Sequence, residues 1–107
     1  MVSQSTALTI AKRFVAEAQA QGLHIRKAIL FGSYARNQAN KWSDIDLAVA
    51  ADEFGGGRVV DLRLYADIIL SNKDYTPLEL HTYNTAYFQE GDPFINEEIK
   101  PKGIVIL

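Results

Sequence analysis

Apolar positions along the chain repeat at two periods. Ala7, Ile10, Ala11, Phe14, Val15 and Ala18 recur at three- and four-residue intervals, which is the stripe of an amphipathic helix. The pattern predicts a helix over residues 5–21, with Ser5 or Thr6 capping its start and Gly22 supplying a left-handed exit. A second stripe, Val59, Leu62, Ala66, Ile69 and Leu70, predicts a helix over 58–70 with Asp61, Arg63 and Asp67 on its solvated face. Shorter apolar runs over 24–31, 44–50 and 77–83 predict strands. In the last of these, Leu78 and Leu80 face one way and Glu79 and His81 the other. Residues 85–89 read as a short helical turn. Asp92-Pro93 is a helix start, with the cap followed by proline at the first helical position, and Pro101 stops that helix near Lys100. Residues 103–107 form an apolar tail expected to pair with the sheet or lie in an interface.

This order of elements predicts an α/β fold, a small mixed β-sheet with helices packed mainly on one side, in a single domain over residues 1–107. Composition adds exclusions. A net charge of −2 and the lack of a local basic run argue against direct nucleic-acid binding. With no cysteine, disulfides, a thiol nucleophile and a thiolate zinc site are excluded. No apolar run approaches the roughly 20 residues of a membrane span, and the N-terminus lacks the layout of a signal peptide, so the expected location is cytoplasmic.

The chemistry concentrates in residues 27–47, KAILFGSYARNQANKWSDIDL. The first strand ends in Gly32-Ser33, a turn leading into a short helix over 34–38. N–H groups at such a turn point outward and can hold a phosphate. Glycine lets the backbone approach the phosphate closely, and the Ser33 hydroxyl adds a donor. Arg36 is placed to reach a triphosphate. Without anything downstream, a plain strand-to-helix turn would explain these residues equally well. The downstream feature is Asp44-Ile45-Asp46, two carboxylates two residues apart on an extended segment and therefore on one face. Acids are depleted in strands, and two buried unpaired carboxylates would cost several kcal/mol, so a divalent cation is the simplest account. Trp42 either shields the edge of this site or covers core. The run Gly55-Gly56-Gly57 lacks a lysine-serine phosphate signature and reads as a flexible connection. His24 reads as a surface histidine; His81, on the same face as Glu79, is within reach of a phosphate but reads better as a surface histidine.

Gly32-Ser33, ten intervening residues and Asp44-x-Asp46 resemble the signature of the DNA polymerase β-like nucleotidyltransferase superfamily. The fuller strings GSYAR and SDIDLAV are similar to the minimal nucleotidyltransferases, some of which are antitoxins paired with a HEPN-domain RNase. Asn37 stands where the family usually has glycine; asparagine tolerates the left-handed conformation, so the turn is expected to survive. The resemblance implies the polymerase β-like fold, a nucleoside triphosphate such as ATP, and two Mg²⁺ ions held by Asp44 and Asp46. It also implies a third carboxylate on the next strand. Glu79 is the only acid there, a methylene longer than the usual aspartate. The implied reaction transfers a nucleoside monophosphate, expected to be AMP, to a hydroxyl of a macromolecule, for which a HEPN toxin is the expected example. A partner or a homo-oligomer would supply the wall that so short a chain lacks. A different class is a binding module that neutralises its partner by masking it, with catalysis weak or lost. A sugar-nucleotide enzyme using the DxD pair is a third, but leaves the Gly-Ser turn unexplained.

Overall fold

The computed structural model describes residues 2–107, and of Arg58 the backbone alone. Four strands form one sheet in the order β3-β2-β1-β4: β1 Ile25–Phe31, β2 Ile45–Ala51, β3 Leu78–Asn84 and β4 Ile104–Val105. β1 runs antiparallel to β2 and β4, while β2 and β3 are parallel, so the sheet is mixed as the element order predicts. The parallel pair is joined by α2, Arg58–Ser71, in the manner of a βαβ crossover. The tail does pair with the sheet: beyond β4, Ile106 N–H donates to the Ala28 carbonyl at 2.8 Å.

Two layers of side chains cover the sheet. The larger buries all six predicted stripe residues of α1, Gln4–Ala20, against Ala28, Leu30, Ile45, Leu47, Val49, Ala51 and Leu80. Phe14 is its anchor, meeting Tyr65 and Tyr75 edge-on with ring centres 6.2 and 6.1 Å away. On the opposite face, Ile29, Phe31, Ala48 and Ala50 meet Phe88 of α3, Thr85–Glu90, and Ile95 and Ile99. β2 is central and buried on both faces, hence its continuous apolar run after Asp46. Asp92 caps the last helical segment by accepting from Ile95 N–H at 2.8 Å, as expected. Its final turn is wider than an α-turn, with Lys100 N–H reaching back to Ile95.

Several local expectations are corrected. α1 starts earlier than predicted and is capped by Ser3, whose Oγ accepts from Thr6 N–H at 3.1 Å, not by Ser5 or Thr6. The left-handed exit at Gly22 is present, φ +98. Residues 34–38 form a hydrogen-bonded turn and not a helix. Trp42 covers no core and is exposed, with the Lys41 ammonium 4.8 Å from its ring.

The register of α2 differs most. Val59, Leu62 and Leu70, expected inside, are exposed, Val59 at 89 %, while Tyr65 and Ile68 are buried. Asp61, expected in solvent, is 2 % exposed. Its carboxylate accepts from Gly55 N–H at 2.8 Å, Gly56 N–H at 3.0 Å and the Thr82 hydroxyl at 2.8 Å. The three glycines are therefore not a loose connection. Two of their N–H groups satisfy a buried carboxylate, and that need turns the helix so that Asp61 points inward. Replacing Asp61 by alanine would leave three buried or half-buried donors without an acceptor, so Asp61→Ala should lower unfolding free energy by about 2–4 kcal/mol. Asp67→Ala, on the exposed side, should change it by less than about 0.5 kcal/mol. Chemical denaturation of the two variants against the parent measures both.

At the same end of the sheet as the glycine run, Arg26 and Thr85 donate to Asp52, holding its carboxyl well below the ordinary range, at about 2. A depressed folded-state value contributes stability above the ordinary carboxyl range and loses it as pH falls through about 4 toward 2. Arg26→Ala should flatten the acid limb of a melting-temperature-against-pH curve by lowering its neutral plateau, while the curves of variant and parent converge at the acid end.

Candidate active site

The candidate site lies where β1 ends and β2 and β3 begin, on the sheet face opposite α1. Its centre is Asp46. The antiparallel register sets Phe31 opposite Asp46, which brings the following residue, Gly32, against the carboxylate. Gly32 has φ +74, and a Cβ added there would collide with Asp46 Oδ2. Only glycine fits on both counts. The chain then turns on three bonds, from Arg36 N–H to Gly32 O, Asn37 N–H to Tyr34 O and Gln38 N–H to Ser33 O. Because the donors are residues 36–38, the N–H groups of residues 33–35 lie outside these bonds, at the open end of the turn. Asn37 takes the left-handed conformation, φ 56. Tyr34 plugs into the core, and Gln4 of α1 donates to the Tyr34 carbonyl at 2.9 Å. The turn is thus pinned from below.

The parallel pairing of β2 with β3 sets Asp46 beside Glu79 and Ala48 beside His81. Donor atoms of Asp46, Glu79 and His81 all lie within 4.8 Å of one another. His81 Nε2 is 3.2 Å from Asp46 Oδ1, a ring N–H donating to a carboxylate. The ring is held by Phe31, edge-on with centres 4.8 Å apart, and Phe31 in turn by Phe94. The side chains of Asp46 and His81 are 25 % and 31 % exposed.

Asp44 and Asp46 are therefore not the two buried carboxylates expected. Asp44 precedes β2 by one residue, is exposed, and is not one of the three converging groups. Arg36 is exposed and donates to Gln38 Oε1 at 3.3 Å, within its own turn. His81, read as a surface residue, stands inside the group. Its position two residues after Glu79 on an alternating strand was the signal, since both side chains must leave the same face. Gln4 and Tyr34 gave no signal, because their role is to fix a turn that is distant in sequence.

Comparison with known proteins fits this geometry. Residues 10–106 match the family described as "Nucleotidyltransferase domain". The chain is also 33 % identical over 79 residues to the Methanocaldococcus jannaschii protein named "Putative protein adenylyltransferase MJ0435", an alignment covering 70 % of this chain and 77 % of that protein.

Gly32→Ala should displace the Asp46 carboxylate and strain the backbone, lowering stability by roughly 1–3 kcal/mol. Gly22→Ala shares the positive φ but meets no neighbour, so the two melting curves measure how much of the loss belongs to the clash.

Proposed function

The chain belongs to the nucleotidyltransferase domain family, and from that membership we propose that it transfers AMP from ATP to a hydroxyl on another protein. The observation that carries this reading is the convergence of Asp46 and Glu79 beside the Gly32-Ser33 turn. Carboxylates next to outward N–H groups are the equipment of metal-assisted phosphoryl chemistry.

In this mechanism residues 33–35 present backbone N–H groups, and Ser33 its hydroxyl, to the oxygens of the β- and γ-phosphates. Gly32 keeps the approach clear. Arg36 leaves Gln38 and adds positive charge at the triphosphate. Asp46 and Glu79, with Asp44 at the mouth, would hold the divalent cations, taken as two Mg²⁺. The donor set suits them, since two carboxylates and open approaches match hard cations. Bound there, the ions would neutralise phosphate charge and orient the attacking and leaving oxygens. A carboxylate of the group, best placed Glu79, takes the proton from the attacking hydroxyl. The acceptor oxygen bonds to the α-phosphorus, the bond to the β-phosphate oxygen breaks, and pyrophosphate leaves.

A protein acceptor is supported by the name of the M. jannaschii relative and by the exposed apolar residues of α2. The minimal-nucleotidyltransferase resemblance further supports a HEPN-domain toxin as acceptor and an antitoxin role. The same α2 surface favours a second reading, a module that neutralises its partner by covering it.

An extract of the source cell incubated with Mg²⁺ and ATP labelled at the α or the γ phosphate separates these readings. Label on a protein from α-labelled ATP alone, lost in the Asp44→Asn/Asp46→Asn double variant, is expected. Label from the γ phosphate would mean phosphorylation and overturn the proposal. If the double variant still neutralises its partner and no label transfers, the covering module is the function.

A further inference from the structure

His81 is not a member of the carboxylate set that the family resemblance implies, yet it stands in the middle of the site. We propose that its imidazole is a direct metal ligand and gives this site a preference for Mn²⁺ over Mg²⁺; this rests on the nucleotidyl-transfer reading above. Three observations lead there. First, His81 Nε2 and Asp46 Oδ1 are 3.2 Å apart. Two donors at right angles on one ion, each about 2.1–2.2 Å from it, sit roughly 3 Å from one another. The pair already has the spacing of neighbouring ligands. Second, Glu79 brings a further donor within 4.8 Å of both, so the three can close on a single ion after a small side-chain rotation. Third, the ring is positioned from outside the site. Phe31 packs against it edge-on, and Ala48 opposite it in the register leaves room for it to lie over β2.

The metal preference follows from the ligand. Mg²⁺ is hard and takes carboxylate, phosphate and water oxygens in preference to nitrogen. First-row transition cations accept imidazole readily, and Mn²⁺ shares the octahedral, oxygen-rich habit that a nucleotide site needs. In the metal-free protein Nε2 carries a proton and donates to Asp46. Ligation requires only that the neutral ring hold its proton on Nδ1 instead. No other group has to move from its element.

The test uses the whole chain and Mn²⁺ alone, without nucleotide. Pulsed EPR of the Mn²⁺ complex should show coupling to an imidazole nitrogen. His81→Gln should abolish that coupling and weaken Mn²⁺ binding by roughly tenfold or more. Mg²⁺ affinity, read by competition, should shift by less than about twofold, because oxygen ligands remain. The His81 side chain is partly exposed, so the variant should fold; a melting curve confirms it, and His81→Asn serves if it does not. Mn²⁺ bound without nitrogen coupling, or with unchanged affinity in the variant, would overturn the proposal and leave AMP transfer standing. Failure of both ions to bind would overturn it as well, and would remove the metal from the wider mechanism. Loss of α-label transfer with nitrogen coupling intact would sink the transferase reading alone.

Discussion

The structure depends on how closely the backbone of Gly32 approaches the carboxylate of Asp46. The β1–β2 register sets Phe31 opposite Asp46. The residue after Phe31 must then share space with an acid, and glycine in the left-handed region is the way to do it. That conformation sends the chain off the sheet, and everything beyond inherits the direction. Tyr34 drops into the core and Gln4 ties the turn to α1. The parallel β2–β3 pairing then adds Glu79 beside Asp46, and the two-residue strand period adds His81. A one-residue slip in that pairing would send Glu79 and His81 to the α1 side and empty the site.

Two aspartates show how environment sorts one residue type into two uses. Asp61 is buried and its oxygens accept three hydrogen bonds, two from backbone N–H groups and one from Thr82. Both of its oxygens are engaged and the group is buried, so it has little to offer a ligand. Asp46 sits at a strand end, a quarter exposed, beside another carboxylate that repels it. Its bond from His81 offsets part of that repulsion, and a cation would offset more. The fold satisfies the first carboxylate with its own donors and leaves the second turned toward solvent and the glycine turn.

Much of this was legible in the sequence, and where it failed the reasons are physical. The α1 stripe was read correctly in full, because six apolar residues at helical spacing face a sheet with no polar competitor. The strands, the tail pairing and the Asp92 cap followed from alternation and from turn chemistry. Within residues 27–47 the elements were read correctly except for the short helix: six residues beginning at a left-handed glycine and ending at a left-handed Asn37 leave room for a single turn. The stripe of α2 was misread because hydrophobicity was allowed to decide its register. A buried carboxylate with three waiting donors outweighed the exposure of Val59 and Leu62, and those donors lie on a glycine loop and on β3, which no helical periodicity can register. His81 was missed for a related reason. Its neighbour across the sheet is set by strand pairing, which is a long-range fact.

The same misreading of α2 bears on how the site works. A helix of a small domain that turns Val59, Val60, Leu62 and Leu70 outward forgoes burial its own core could have used. β3, which carries Glu79 and His81, is an edge strand, so among the described elements none pairs with its outer side. The face of the candidate site, the open edge and the apolar helix therefore adjoin, since Leu78 next to Glu79 also borders the groove formed with Val59, Leu62 and Ile69. An acceptor protein seated on that groove would bring its hydroxyl to the carboxylate side of the sheet without any further domain. Under the proposed transfer to a protein, this groove would be where the acceptor docks, and substitutions on α2 would act on acceptor affinity while the nucleotide end is left as it is.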